Sequence, residues 1–371
     1  MVEYKMNEFN EKNEPTETKT KKKLPLAAKI AIGLLCVVLV GGIGAFAYVQ
    51  HYLGKINKAE PMTKAEIVAP EDETFEVDEP EEGEEHQVMV DVEELNPEDI
   101  ELHVASEVMK DKDIVNILLI GQDRRTGEGR ARSDAMILVT LNKKEKEIHM
   151  TSFMRDLYVE IPGNYSGNRL NAAYQFGGME LLDATLERNF GIHVDGNIEV
   201  DFNGFKACID SVGGVDIELN QLEANYLNRR GNWDDNPSSA GTWNLRAGMN
   251  HLTGEQALAY SRIRGIGNAD YERTERQRRV LTDLFSKIKN ADLKTVMTLA
   301  DQIFPLLTTD ISKMDLLGYA VEGLKIGMDD VSTSRIPING AFTSGRVRGM
   351  QVLVPDLEKN RDYLQKELYG K

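Results

Sequence analysis

The chain has 371 residues, a formal net charge of −17 and only two cysteines, Cys36 and Cys208. Its length allows one large domain or two ordinary ones. Two cysteines are too few for a disulfide framework or a cysteine-based zinc site. The acidic total argues against nonspecific binding to nucleic acid, which favours basic surfaces.

The N-terminal region is predicted to attach the protein to a membrane. Residues 1–29 form a polar, lysine-rich tail, and the 20 residues Ile30–Val49 carry no charge. A helix of that length rises ~30 Å, the thickness of the hydrocarbon core of a bilayer. The lysines before it predict a cytoplasmic tail and an extracellular remainder. A cleaved signal peptide is the alternative, although the apolar run exceeds the usual core of ~7–15 residues.

An acidic segment follows the predicted membrane helix. Between Lys58 and Glu101 there are 18 Asp and Glu residues against two Lys, so nearly all of the net charge lies here. Because like charges repel along the chain, residues 50–111 are predicted to form an extended, solvated stalk outside the cell.

From residue 112 to residue 371 the composition is that of a globular domain. Alternating apolar patterns and turn signals predict strands at Ile114–Gly121, Ala135–Leu141, Glu147–Met154, Asp195–Phe202, Val215–Leu219, Ser332–Pro337 and Met350–Val354. Helices are predicted at 169–190, Gly204–Val212, from Thr253 onward, over Thr282–Lys325 and at Pro355–Leu368. Such alternation is typical of an α/β domain.

Charged residues stand at the ends of the first three predicted strands. If these strands pair as antiparallel neighbours, the end of each lies beside the start of the next. Asp123, Arg125, Asp134 and Arg155 then converge at one edge of the sheet. Two carboxylates and two guanidiniums in one place suggest a metal ion and a phosphate.

A second set of arginines follows a predicted capping box formed by Thr253 and Gln256. The helix that starts there ends near Arg262 and Arg264, and another helix begins near Asp270.

The apolar stripe of that second helix contains Val280 and Leu284. Helical periodicity places Arg273, Arg276 and Gln277 on the same inward stripe, and it directs Arg278 and Arg279 away from it. A buried arginine needs a partner, which could be a structural carboxylate such as Asp270 or Asp156, or an anionic ligand. Four clustered arginines favour a phosphate, which accepts the planar fork of guanidinium hydrogen bonds.

These motifs resemble those of the LytR-CpsA-Psr proteins of bacterial cell envelopes, and the resemblance covers roughly residues 112–290. The matching stretches, in chain order, are Asn116–Arg125, Ser133–Met136, Met154–Asp156, Gly213–Asp216, Leu252–Arg264, Asp270, Arg273 and Arg276-Gln277. The residue before Arg155 is usually proline in the family and is Met154 here. This departure removes no functional group.

The resemblance implies a three-layer α/β/α sandwich with a central mixed β-sheet, preceded by a single transmembrane helix. It also implies a Mg²⁺-dependent phosphotransferase that moves a phosphate-linked glycopolymer from a polyprenyl-pyrophosphate carrier to peptidoglycan. By correspondence of motifs, Asp123 and Asp134 would hold the metal. The pyrophosphate would contact Arg125, Arg155, Arg262, Arg264, Arg273 and Gln277.

Catalysis is accordingly predicted to depend on Arg155, Asp134 and Arg262, with the general base left open between Asp134 and Asp156. Two other functions remain possible. The domain could bind a lipid-linked polyanion or regulate the envelope without catalysis, or it could hydrolyse the pyrophosphate with water in place of the sugar hydroxyl. A glycosidase is disfavoured because paired carboxylates in such enzymes need no arginine cluster.

Overall fold

A computed structural model describes residues 47–64, 66–75, 93–122, 132–230, 243–267, 270–291, 293–326 and 331–370. The predicted tail, most of the predicted membrane helix, Asp123 and Arg125 lie outside these ranges. Within them, no helix combines the length and the apolar character that crossing a membrane requires. One compact unit begins at Gln50 and contains the elements named in the next paragraph.

The strands, in chain order, are β1 (Asn57–Lys58), β2 (Ile114–Gln122), β3 (Ser133–Asn142), β4 (Glu147–Phe153), β5 (Tyr158–Val159), β6 (Asn168–Arg169), β7 (Gly196–Asp201), β8 (Val215–Leu219), β9 (Gly248–Leu252), β10 (Leu307–Thr309), β11 (Val331–Ile336), β12 (Phe342–Val347) and β13 (Met350–Pro355). The helices that follow β6 are α1 (Leu170–Phe190), α2 (Phe202–Ser211), α3 (Gln221–Arg230), α4 (Gly254–Ser261), α5 (Asp270–Asn290), α6 (Leu293–Ile303), α7 (Lys313–Ile326) and α8 (Leu357–Tyr369).

Seven strands form a central mixed sheet in the order β1-β10-β7-β2-β3-β4-β11. The three predicted neighbours β2, β3 and β4 are antiparallel, with Gly121 opposite Ala135 and Ile137 opposite Ser152. Strand β7 runs parallel to β2, and β11 runs parallel to β4. The predicted α/β class is therefore confirmed, and the carboxyl ends of β2, β4, β7 and β11 share one edge.

Helices cover both faces of this sheet because successive side chains of a strand point to opposite sides. Leu118 and Ile120 of β2 pack in one core with residues of α1 and α8. Ile117 packs in another core, to which α5 contributes Leu281 and Phe285. Burying each such Leu or Ile stabilises the fold by roughly 1.5–3 kcal/mol.

Helix α5 also packs against a third apolar core, which contains residues of the β8–β9 ribbon and of α4. Val280 and Leu284 belong to that core, whereas Leu281 and Phe285 also pack against the core of the central sheet. Two sides of α5 are thus buried, and this arrangement decides where its arginines lie.

The acidic segment differs from the extended stalk that its composition predicted. Strand β1 pairs with β10, and the Val68 backbone N–H donates to the Phe176 carbonyl oxygen at 3.0 Å. Leu95 and Leu102 pack beside the β12–β13 hairpin. The described parts of the segment pack on the domain because their scattered apolar side chains find apolar surfaces, while most of the carboxylates stay exposed. Residues 76–92 lie outside the described ranges.

The C-terminal half contains elements that the sequence patterns did not predict. The helical character predicted over Thr282–Lys325 is confirmed for most of that range by the end of α5, by α6 and by α7, but a 3-10 turn at Phe304–Leu306 and strand β10 interrupt it. Pro305 supplies no backbone N–H, and β10 is held extended by pairing with β7. Helix α3 and strands β9 and β12 were also missed.

A buried carboxyl group on α1 gives this fold a predicted pH dependence. Asp183 Oδ2 accepts a hydrogen bond from Asn197 Nδ2 at 2.8 Å, and the same amide nitrogen donates to Asp310 Oδ2. Burial raises the pKa of Asp183 from 3.8 to about 8; the hydrogen bond from Asn197 opposes this rise, and the nearby Asp310 carboxylate adds to it.

Because the folded state binds this proton more tightly than the unfolded chain does, stability should fall as pH rises from 3.8 to about 8. Asp183→Asn removes the titration and keeps the acceptor oxygen. We expect the melting temperature of the variant, relative to the parent, to be higher at pH 8 than at pH 5. If the melting temperatures of variant and parent differed by the same amount at both pH values, Asp183 would be ionised in the folded protein at pH 5 as well as at pH 8.

Candidate functional site

The predicted meeting of strand ends occurs at the edge where β3 begins and β4 ends. Asp134 is the second residue of β3, and Arg155 follows β4 by two positions. Arg155 Nη1 donates to Asp134 Oδ1 at 2.8 Å. The other two members of the predicted set, Asp123 and Arg125, lie outside the described residues.

Asp156 contacts Arg155 and is itself contacted by Arg169, which also bonds to strand β13. Arg155 Nε lies 3.5 Å from Asp156 Oδ1, and the Nε of Arg169 lies at the same distance from that oxygen. Arg169 is 2% exposed and also donates through Nε and Nη2 to the Gln351 carbonyl oxygen. The sequence patterns missed Arg169, although an arginine placed directly before an apolar helix was a signal that it is buried.

Two arginines from the second predicted set complete the arrangement. Arg264 Nη2 lies 3.8 Å from Asp134 Oδ1, and Arg264 Nε lies 3.7 Å from Asp270 Oδ1. Arg273 Nη1 lies 2.9 Å from the same Asp270 oxygen. Asp134, Arg155, Arg264, Asp270 and Arg273 are called the arginine–aspartate cluster below. Its arginines come from three separate segments of the chain.

The predicted capping box helps to position this cluster. The Thr253 hydroxyl accepts from the Gln256 backbone N–H, and the Gln256 side chain accepts from the Thr253 backbone N–H. Helix α4 therefore begins at Gly254 and ends at Ser261, so that Arg262 is its C-terminal cap.

The remaining predicted ligands lie close to the same edge. The Arg262 guanidinium lies 4.4 Å from the centre of the Phe202 ring. Phe202 directly follows β7, whose last residue pairs with Gln122 at the end of β2. Gln277 is half-buried one helical turn after Arg273 on α5.

Electrostatics keep both carboxylates of the cluster ionised. Burial alone would raise the pKa of Asp134, but the guanidiniums of Arg155, Arg273 and Arg264 outweigh it, and the pKa is lowered. The pKa of Asp270 is lowered in the same way, with Arg273 as its main counter-charge.

The arginines of the cluster differ from one another. Burial would lower the pKa of Arg155, but the carboxylates of Asp156, Asp134 and Asp270 raise it instead. Burial lowers the pKa of Arg273 to about 10, because the attraction of Asp270 is partly offset by the other two arginines. Both side chains therefore remain cationic at neutral pH.

Hydrogen-bond donors in the cluster are left without acceptors. Arg155 Nε and Arg273 Nε are buried and have no hydrogen-bond acceptor among the described residues, whereas Arg273 Nη1 is ion-paired with Asp270. Arg273 is only 4% exposed. A buried donor without an acceptor costs about 1–3 kcal/mol, so such groups need an explanation. Oxygen atoms of a bound phosphate would accept from these donors.

Two predictions about α5 are wrong. Arg276 does not join the cluster, because its Nε donates to Glu223 Oε1 at 2.8 Å, and its guanidinium also contacts Glu272 and the Ile263 carbonyl oxygen. Arg278 was expected to point away from the core, yet it is 7% exposed and donates through Nη1 to Ser152 Oγ at 2.7 Å. Arg279, the other arginine that was predicted to point away from the core, is half-exposed.

The donor chemistry of the cluster fits one part of a magnesium site. Mg²⁺ prefers hard oxygen ligands and is often held by one or two carboxylates together with phosphate oxygens. Asp134 is ionised and about a quarter of its side chain is exposed. Among the described residues, no group of three Asp, Glu, His or Cys side chains could hold a metal without further ligands. Asp134 could therefore supply one ligand, next to others from Asp123 and the substrate.

The chain matches a known protein family over most of its length. The model of the LytR_cpsA_psr family matches residues 73–367. The polyisoprenyl-teichoic acid–peptidoglycan teichoic acid transferase TagU of Bacillus mycoides (strain KBAB4) is 38% identical over 174 residues, which are 47% of this chain and 52% of that protein. The chain thus spans about half the length of the curated relatives it matches first.

Solved structures show the same fold. TagT of B. subtilis bound to LIIa-WTA has a TM-score of 0.57 and 28% identity, covering 70% of this chain and 92% of that one. The family protein YwtF (TagT) with bound octaprenyl pyrophosphate lipid has a TM-score of 0.53 and 26% identity, covering 70% of this chain and 91% of that one.

Proposed function

This chain belongs to the LytR_cpsA_psr family, and on that premise we propose that it is a glycopolymer–peptidoglycan phosphotransferase. The donor would be a glycopolymer linked through pyrophosphate to a polyprenyl lipid, and the acceptor would be peptidoglycan. The related TagU carries the name of such a transferase, and TagT has been solved with octaprenyl pyrophosphate lipid.

The observation that carries this proposal is the set of buried, unsatisfied guanidinium donors. The Nε–H groups of Arg155 and Arg273 have no acceptor among the described residues, and ionised carboxylates hold both guanidiniums in place through their Nη1 atoms. A pyrophosphate presents several charged oxygens, each of which can accept such hydrogen bonds.

In the proposed reaction a sugar hydroxyl of peptidoglycan attacks the phosphorus that carries the glycopolymer. A new phosphorus–oxygen bond forms, the bond to the polyprenyl phosphate breaks, and the hydroxyl proton leaves to a base. Arg155, Arg264 and Arg273 compensate the negative charge on the departing phosphate, and we assign Arg125, Arg262 and Gln277 to the same anion.

We propose that Asp123 and Asp134 hold Mg²⁺, which would neutralise charge on the phosphate oxygens when bound. The low pKa of Asp134 suits it to metal binding and not to proton transfer, because an effective base has a pKa near the working pH. Asp156, whose Oδ1 lies 3.5 Å from the Nε atoms of Arg155 and Arg169, is the other candidate for the base.

The location of the site follows from the same proposal. A polyprenyl donor resides in a membrane, so the domain must be held beside one. We propose that residues 30–49 form a single-pass helix of a three-layer α/β/α protein, with the N-terminus in the cytoplasm and the domain outside the cell.

One experiment separates transfer from the two other functions. The full-length protein is incubated with a polyprenyl-pyrophosphate glycan, Mg²⁺ and peptidoglycan oligomers, and the products are analysed by mass spectrometry. Glycan joined to the oligomer through phosphate supports transfer. Free phosphorylated glycan alone identifies a hydrolase, and tight binding without turnover identifies a noncatalytic module.

Asp134→Asn tests the proposed metal ligand. The variant keeps the side-chain shape but loses a charged oxygen donor, so the Mg²⁺ concentration for half-maximal transfer should rise about tenfold or more. Asp270→Asn is the matched control, because it removes another carboxylate of the cluster that is not assigned to the metal. An unchanged Mg²⁺ response in Asp134→Asn would remove this residue from the metal site.

A further inference from the structure

A cavity of about 500 Å³ lies next to the arginine–aspartate cluster. Tyr271 stands in its wall and directly follows Asp270 of the cluster. Burial raises the pKa of the Tyr271 hydroxyl, Arg335 opposes this, and the carboxylates of Asp270 and Asp156 add to the rise. The cavity has the size of a small-molecule site, and Tyr271 connects it to Asp270 of the proposed reaction centre.

Two arginines line this cavity, and neither has a carboxylate within ion-pair distance among the described residues. Arg278 is more than nine-tenths buried, and its Nε has no hydrogen-bond acceptor among the described residues. Arg335 lies with its guanidinium 4.3 Å from the centre of the Tyr271 ring and donates through Nη1 to the Pro337 carbonyl oxygen at 3.1 Å. Within the described ranges, neither forms an ion pair with a carboxylate closer than 4.0 Å.

Burial lowers the pKa of Arg278 to about 10, with the carboxylate of Glu275 opposing this and Arg335 adding to it, so the side chain stays charged at neutral pH. A buried guanidinium donor without an acceptor is costly. An anionic group of a ligand, placed between Arg278 and Arg335, would accept from the Arg278 Nε–H and pair directly with both guanidiniums. A carboxylate suits this position because it matches the guanidinium fork.

The rest of the lining indicates what carries that carboxylate. Tyr271 and Phe342 present aromatic rings with centres 5.9 Å apart, which offer apolar surface to the C–H face of a sugar ring. Glu272 and Glu275 line the same cavity. Their negative charge would repel a polymer that carries a phosphate at every repeat. A ligand with few anionic groups would be repelled less.

We propose that this cavity is the acceptor subsite, and that Arg278 and Arg335 bind a carboxylate on a peptide-substituted sugar of the peptidoglycan strand. The subsite rests on the proposed transferase function and adds the position of the acceptor to it. The acceptor hydroxyl would then lie on the Tyr271 side of the cavity, towards the arginine–aspartate cluster.

The test measures binding of a soluble disaccharide–peptide fragment of peptidoglycan to the full-length protein by calorimetry. Arg278→Gln and Arg335→Gln should each weaken binding about tenfold or more, the usual effect of losing a hydrogen bond between charged groups. The matched control is Arg279→Gln, since Arg279 is adjacent in sequence but half-exposed and paired with Glu275. The control should bind like the parent.

A second ligand identifies the group that is recognised. The same fragment with its carboxylates amidated should bind the parent about as weakly as the intact fragment binds the variants. Equal binding of intact and amidated fragments would overturn the proposal. So would a loss of affinity for the polyprenyl-pyrophosphate glycan in both variants, because the cavity would then belong to the donor.

The two proposals fail in different ways. If no transfer occurs but fragment binding follows the expected pattern, the transferase function is wrong and the carboxylate-binding cavity stands. If transfer occurs and neither Arg278→Gln nor Arg335→Gln changes fragment binding or the KM for the acceptor, the cavity inference is wrong. Arg335 is only partly buried, so its variant remains informative if Arg278→Gln fails to fold.

Discussion

Arg155→Ala is expected to reduce glycopolymer transfer by a factor of about 10³ or more, the range seen when an arginine that stabilises a transferring phosphoryl group is removed. Arg155 is central to the arginine–aspartate cluster, because it contacts Asp134 and Asp156 and has a buried Nε that lacks an acceptor. The measurement is the initial rate of transfer with the polyprenyl-pyrophosphate glycan and peptidoglycan oligomers.

The same variant should remain folded. The pair formed by Arg155 and Asp134 is partly exposed, so the two carboxylates left behind can be solvated. Arg155→Lys is the matched control, since it keeps the charge but loses the two-pronged hydrogen-bonding geometry, and its rate should lie between those of the parent and Arg155→Ala. A collapse of the melting temperature together with the rate would instead identify Arg155 as a structural ion-pair residue.

The edge of the sheet could be predicted from sequence because it depends on local patterns. Three apolar runs separated by short polar segments specify neighbouring antiparallel strands, and strand direction then places Asp134 beside Arg155. The capping box of Thr253 and Gln256 is equally local, and it fixed the start of α4. Both features depend on residues that are close together in sequence, so they could be predicted without knowledge of distant contacts.

The arginines of α5 could not be assigned in the same way. Periodicity predicts which residues face inward when a helix has one buried stripe, but α5 packs against two cores. The second buried side turned Arg278 into a core residue. Likewise, the partner of Arg276 is Glu223 of α3, a helix 53 residues away in sequence that no pattern predicted.

The acidic segment shows a similar limit. Its composition is dominated by charge, which predicts an extended chain. Its apolar side chains, such as Leu95 and Leu102, are few and are not spaced with the period of a helix or a strand. These side chains are nevertheless enough to hold the described parts against the domain, because the hairpin of β12 and β13 offers a complementary apolar surface. Average composition cannot report such a match between distant surfaces.

Arg276→Ala is expected to have the opposite effect from Arg155→Ala. Arg276 and Glu223 have side chains that are 2% and 3% exposed. Removing one member of a buried ion pair leaves an uncompensated charge and costs about 3–5 kcal/mol. For a domain of this size the melting temperature should fall by roughly 10 °C. The measurement is thermal unfolding, with the transfer rate followed at a temperature where the variant is still folded.

Two further variants show whether the buried charge is the cause. Arg279→Ala breaks an exposed pair on the same helix, with both side chains about half-exposed, and should change stability by less than about 1 kcal/mol. Adding Glu223→Gln to Arg276→Ala removes the stranded carboxylate and should recover part of the lost melting temperature. If Arg276→Ala instead abolished transfer with an unchanged melting temperature, Arg276 would belong to the phosphate site, as the clustering of four arginines in the sequence predicted.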